Sequence, residues 1–179
     1  MSTSKWIALS AVAVLAACAA QTPVGKPPAF GAQVSAEEIA RWDISIPPSG
    51  AGLPPGSGTA RQGAPVYEQK CLVCHGVKGV GKPADALAGG IGTLATKTPL
   101  RTVGSYWQYP TTLFDYVRRA MPITTPLTLT STEVYALTAY LLNINGIIGE
   151  DEPMNAQTLP QVKMPNRDGF VSDWPPRAH

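Results

Sequence analysis

Proline decides where this chain can be regular. Of its 18 prolines, seven lie in residues 21–60 and five in residues 150–179, which bars both flanks from long helices and from the interior of a sheet. Both flanks therefore read as extended. Residues 18–58 form a proline- and glycine-rich arm, wrapped on the domain or leading to an anchor, and residues 150–179 form a second arm or a disordered tail. One short helix interrupts the first arm. Ser35 and Glu38 have the spacing of a capping box, and Ile39 and Trp42 fall three residues apart on one face.

The stretches with helical periodicity lie between these flanks, in residues 59–149. A first helix is expected from Thr59 to the cysteines, with Ala64, Val66, Tyr67 and Cys71 on its apolar side. A second follows Pro110, capped by Thr111 or Thr112, with Leu113, Tyr116, Val117 and Ala120 on one face, and Met121-Pro122 ends it. The clearest helix spans 131–144. Thr130 and Glu133 form a capping box, Val134, Leu137, Thr138, Leu141 and Leu142 repeat at helical spacing, and Gly146 lies just past the end. Residues 76–110 read as glycine-rich loops with a short helix near Ala84–Leu87, and no stretch alternates well enough to be a strand. The expected fold is all-α, small and loop-rich. Aliphatic burial alone stabilises such a core poorly, and an apolar group built into it would supply the missing mass.

Cys71-Leu72-Val73-Cys74-His75 points to that group. C-x-x-C-H is the attachment signature for c-type haem. Two thiols three residues apart at a helix end meet the two vinyl groups of one porphyrin, and the histidine that follows lies under the iron. Other readings fare worse. A thioredoxin-like pair needs a strand before a βα unit, and none is visible. A zinc site needs more ligands, yet the other histidine is His179 and the other cysteine is Cys18. A structural disulfide would leave His75 without a role. One covalent haem c is expected, on Cys71 and Cys74, with His75 as an iron ligand. For the sixth position methionine is the usual alternative to histidine. Met121, in a loop beside Pro122, is the first candidate and Met164 the next. A vacant site, as in a sensor or peroxidase, is the remaining possibility. Pro83 is placed to turn a carbonyl toward His75, while Tyr106, Trp107 and Tyr109 reach the propionates or simply fill the core.

The N-terminus reads as an export signal. Lys5 precedes an uncharged stretch from Trp6 to Ala17, shorter than the roughly 20 residues that a membrane-spanning helix needs. Leu15-Ala16-Ala17-Cys18 resembles a bacterial lipobox, so residues 1–17 are expected to be a lipoprotein signal peptide and Cys18 the lipidated new N-terminus. Cleavage near Ala20 without lipid is the alternative. Lipid on Cys18 and haem on Cys71 and Cys74 would account for all three cysteines. Either route leads to the periplasm, the first with a membrane tether. Net charge is only +2, with no basic patch of the kind that holds nucleic acid. Residues 61–149 carry 8 basic and 4 acidic side chains, and residues 150–179 carry 3 and 5. That asymmetry biases docking toward an acidic partner or is simply a solvated surface. No Ser/His/Asp set and no carboxylate cluster on one helix suggests catalysis by the chain alone.

Longer strings carry a resemblance. Cys71–His75, Met121-Pro122, and Leu129-Thr130 leading into Glu133–Leu141 resemble the class I cytochromes c, whose first and last helices cross at a glycine and an aromatic; Gly63, Tyr67 and Tyr140 match that arrangement. Thr102–Trp107, Thr111–Tyr116, Arg118–Pro122, Leu159-Pro160 and Met164–Phe170 are similar to the cytochrome subunits of the sulfur (sulfane) dehydrogenases of the Sox system, and so are Trp42–Ile44 and Gly52–Gly58. Related cytochromes serve sulfite dehydrogenases. The resemblance implies an electron-transfer subunit that accepts electrons from a molybdopterin subunit and passes them to a cytochrome or terminal oxidase. Some members carry a second haem motif, whereas this chain has one. A free-standing, membrane-tethered carrier of a respiratory chain and an open-site haem sensor or peroxidase are the alternatives.

Overall fold

The computed structural model describes residues 30–171, 173 and 174. The expected signal peptide, Cys18 and His179 lie outside the described residues. The chain divides into two units at Trp42/Asp43. In the first, α1 (Ala36–Trp42) begins where Ser35 Oγ accepts the Glu38 N–H at 3.1 Å. The Glu38 carboxylate turns forward instead, to Trp42 Nε1 at 3.1 Å and Arg41 at 3.6 Å.

The second unit runs, in order, β1 (Ser57–Gly58), α2 (Ala60–Lys70), α3 (Leu72–His75), a 3₁₀ turn (Val77–Gly79), α4 (Pro110–Ala120), α5 (Ser131–Ile144), β2 (Met154–Asn155) and a second 3₁₀ turn (Leu159–Gln161). The expected helix near Ala84–Leu87 is absent, because its backbone donors are spent elsewhere: Ala84 N–H donates to Cys74 O and Leu87 N–H to Gly79 O. The unexpected strands are two residues each and antiparallel, Ser57 opposite Asn155 and Gly58 opposite Met154, too short for alternation to register in sequence.

Caps set the helix starts. Thr59 and Gln62 form a reciprocal capping box on α2, and Thr130 and Glu133 do so on α5. On α4 neither threonine caps. Pro110 occupies the first turn, where its missing N–H and preset φ cost nothing. Thr111 Oγ1 donates instead to Pro48 O at 3.0 Å, and Thr112 Oγ1 to Tyr109 O at 2.9 Å.

Helix α5 is the axis of the unit. It was expected to bury one face, yet every residue from Val134 to Ala139 is buried, as are Leu141 and Leu142. Neighbours close on it from several sides. A Cβ on Gly63 of α2 would overlap the Ala136 carbonyl, and one on Gly58 would overlap the Ala136 backbone N. Tyr67 and Tyr140 stack across the same crossing at 4.9 Å between centroids, and Phe114 of α4 meets Tyr135 at 4.5 Å. Lys70 and Glu133 pair across it at 2.9 Å.

The core extends past the helices on both sides. Ile46, Met154, Leu159 and Met164 are all buried with it. Arg61 ties the start of α2 to Glu150 and Asp151. Asp115, buried in α4, accepts the Ile46 N–H at 2.8 Å and a two-pronged bond from Arg119. Burial pushes its carboxyl pKa upward. The hydrogen bonds from Arg119 and Ile46 and the charges of Arg119 and Arg118 outweigh that and hold it below the usual value.

Gly63→Ala should destabilise the protein. Helix propensity alone would favour alanine by roughly 0.5–1 kcal/mol. The Cβ meets backbone that cannot swing away, so a net loss of about 1–3 kcal/mol is expected, seen as a lower urea midpoint. A pH effect follows from Asp115. Its folded pKa is depressed, so its stabilisation is complete above the unfolded value of about 3.9 and is lost as pH falls through the lower folded value. Urea midpoints measured from neutral pH into acid should fall less steeply in Asp115→Asn than in wild type.

Candidate functional site

The Cys71–His75 segment sits where α2 gives way to α3. The break is local: Cys71 leaves helical geometry with φ −125° and ψ −34°, while its N–H still donates to Tyr67 O at 2.9 Å. Both cysteines are half-buried and neither is in a disulfide. Burial pushes the Cys71 thiol up to about 11, the opposite of the lowered pKa that makes a dithiol motif redox-active. Gly76 ends α3 at φ +71°, and a Cβ there would meet Gly81 O at 2.5 Å, so both conformation and space call for glycine.

The glycine-rich loop folds back onto this element. Gly81 N–H donates to His75 O at 2.8 Å and Ala84 N–H to Cys74 O at 2.9 Å. His75 Nδ1 then lies 2.9 Å from Asp85 O. A carbonyl only accepts, so Nδ1 is the donor in this bond, and Nε2 is the nitrogen left to face a metal. The expectation that Pro83 supplies this carbonyl is corrected by two residues: the turn delivers Asp85.

Asn145, at the end of α5, holds the far side of the loop, and no signal in the sequence marked it. Its Oδ1 accepts the Gly89 N–H at 3.1 Å, and its Nδ2 donates to Leu87 O at 3.0 Å and Leu141 O at 2.8 Å. Thr102 and Ser105 continue the stitching, to Gly89 O and Leu100 O.

The methionines separate by environment. Met154 and Met164 are enclosed in the core, whereas Met121, the residue after α4, is half-buried at its edge. Leu72, Leu87, Leu129 and Ile144 lie half-buried against the same core, from four different segments. Among the aromatics, Trp107 meets Tyr116 at 5.8 Å and Tyr106 meets Phe170 at 5.1 Å, while the Arg167 guanidinium lies 4.2 Å over Tyr109. Among the described residues no group of three His, Cys, Asp or Glu side chains is placed to hold a metal ion. No helix among them is long and apolar enough to cross a membrane.

Residues 58–141 match the family described as cytochrome C oxidase, cbb3-type, subunit III. A solved structure shares the fold at 40% identity. The chain belongs to the class I c-type cytochromes: it carries covalently bound haem c and works by electron transfer. The solved relative is a chain of the sulfane dehydrogenase SoxCD from Paracoccus pantotrophus, with a TM-score of 0.76 over 80% of this chain and 71% of that one. No curated protein gives a significant match.

Asn145→Ala would leave the Gly89 N–H without its partner and the Leu87 carbonyl with the Val103 N–H alone. A loss of about 2 kcal/mol is expected, and amide exchange in residues 86–90 should accelerate more than in α5.

Proposed function

We propose that this chain is the electron-transfer subunit of a sulfur-compound dehydrogenase, with one haem c joined by thioethers to Cys71 and Cys74 and with His75 Nε2 and Met121 Sδ as its axial iron ligands. The single observation that carries the site is the bond from His75 Nδ1 to Asp85 O. It fixes the tautomer and ring orientation that an iron ligand needs, as metal-bound histidines generally require. Further support comes from the donor set. Two half-buried thiols, an oriented imidazole and a thioether at the core edge suit a porphyrin iron. Apolar side chains left exposed near the motif and after Met121, among them Val73, Val77, Ile123 and Leu127, suit the face of an apolar macrocycle.

When bound, haem c supplies an iron that gains or loses one electron at a time. The chain's own residues hold and orient it. Cys71 and Cys74 would fix its rotation, Asp85 O holds the His75 ring in place, and the Met121 thioether, as an iron ligand, would raise the reduction potential. The likeness to a sulfane dehydrogenase supports a molybdopterin subunit as electron donor and a cytochrome or oxidase as acceptor. The expected signal peptide supports a periplasmic site of action, with lipid on Cys18 as the membrane tether.

Pull-down of the natively expressed protein, with thiosulfate- or sulfite-dependent haem reduction, tests the partner. Recovery of a molybdopterin subunit with substrate-driven reduction is the expected result. Reduction by other cytochromes alone would favour a free-standing carrier. Met121→Ala tests the ligand: the weak band at the red edge of the ferric visible spectrum, which marks methionine sulfur on iron, should vanish while haem stays attached. Met164→Leu should leave that band in place.

A further inference from the structure

Three bonds strap residues 44–48 to α4 at the spacing of its turns. Thr111 Oγ1 donates to Pro48 O at 3.0 Å, Asp115 Oδ1 accepts from Ile46 N–H at 2.8 Å, and Arg118 Nη1 donates to Ile44 O at 3.2 Å. Positions 111, 115 and 118 share one helix face. Partners 48, 46 and 44 are alternate residues of an extended segment running antiparallel to the helix. Ile46 is itself a core residue, so the strap is built into the fold. Arg119 grips Asp115 with two bonds and so braces the last turn.

That last turn ends on Met121, whose N–H donates to Val117 O at 3.2 Å. On the other side no hydrogen bond among the described residues ties the loop after Met121 to the rest of the protein. Among the described residues the hydrogen bonds of 122–128 stay within that loop, Thr125 N–H to Pro122 O and Thr128 Oγ1 to Thr125 O. The methionine hangs between an anchored helix end and a loop that is tied only to itself.

We infer that the strap is the device that positions Met121, with Arg118 and Asp115 as positioning residues acting through the end of α4. This rests on the reading of Met121 as an iron ligand. Loosening the rungs nearest Met121 should let the thioether be displaced more readily, without requiring the fold to weaken in proportion. Thr111, at the far end of the helix, should contribute to stability but not to the hold on Met121.

The test uses the full-length, haem-loaded ferric protein, titrated with imidazole and followed in the Soret region, beside urea unfolding followed by far-ultraviolet circular dichroism. Arg118→Met and Asp115→Ala, which remove the partners of Ile44 O and Ile46 N–H, should bind imidazole about tenfold more tightly than wild type, the scale of one charge-assisted hydrogen bond. Arg118→Lys, which keeps a donor for Ile44 O, should restore most of the wild-type affinity. Thr111→Val should lower the urea midpoint and leave imidazole affinity unchanged. Unchanged affinity in Arg118→Met, or changes in all variants that simply track the urea midpoint, would overturn the positioning role. A wild-type protein without the methionine band would instead overturn the ligand assignment itself, and the positioning role with it.

Discussion

The close approach of α2 and α5 is the constraint on which the rest depends. Gly63 lets the backbone of one helix lie against the Ala136 carbonyl of the other, at a separation no side chain would permit. Packing at that distance sets Tyr67 against Tyr140 and brings the Tyr67 hydroxyl to Gly76 O at 2.8 Å. The end of α2, and with it Cys71–His75, is therefore referenced to α5 from both sides of the motif. The glycine loop then has a fixed surface to fold onto, and Asp85 O reaches His75 as a consequence of that folding.

A chain with so few helices buries little by helix packing alone. Here the segments outside the helices make up the difference. Ile46 comes from before α2, and Met154, Leu159 and Met164 come from after α5; all four belong to the buried core. Helix α4 receives much of this material. Its face takes residues 44–48, and its entry is clasped from the C-terminal side, where Gln108 Nε2 donates to Arg167 O and Asn166 Nδ2 donates to Tyr106 O. The two proline-rich flanks thus stabilise the one helix whose end carries Met121.

Such an arrangement suits a carrier of single electrons. A site that changes charge by one unit works best when its surroundings need not rearrange, and the groups around the motif are held by backbone geometry. The tautomer of His75 is set by a carbonyl, which has no protonation state to lose near neutral pH. The likeness to a sulfane dehydrogenase chain covers 80% of this protein, more than the stretch 58–141 that matches the cytochrome family.

Much of this was legible in the residues themselves. C-x-x-C-H marks covalent haem because thioether attachment leaves no choice of residue type or spacing. The α5 boundaries were readable because Thr130 and Glu133 satisfy each other's backbone donors within four residues. What failed to show depends on distant partners. Asn145 looks like any polar helix end until the loop arrives to use it, Asp115 like any exposed carboxylate until Ile46 and Arg119 converge on it, and the Asp85 carbonyl like any other in the loop until Gly81 and Ala84 dock on Cys74 and His75. The residues alone were enough for the cofactor chemistry and for the capped start of α5, since both follow from covalent spacing and neighbours a few residues apart, but not for the loop where a helix was expected at Ala84–Leu87. Which carbonyl orients His75, which methionine stays at the core edge and what the flanks hold came from the folded arrangement, because those outcomes depend on groups that meet only when the chain folds.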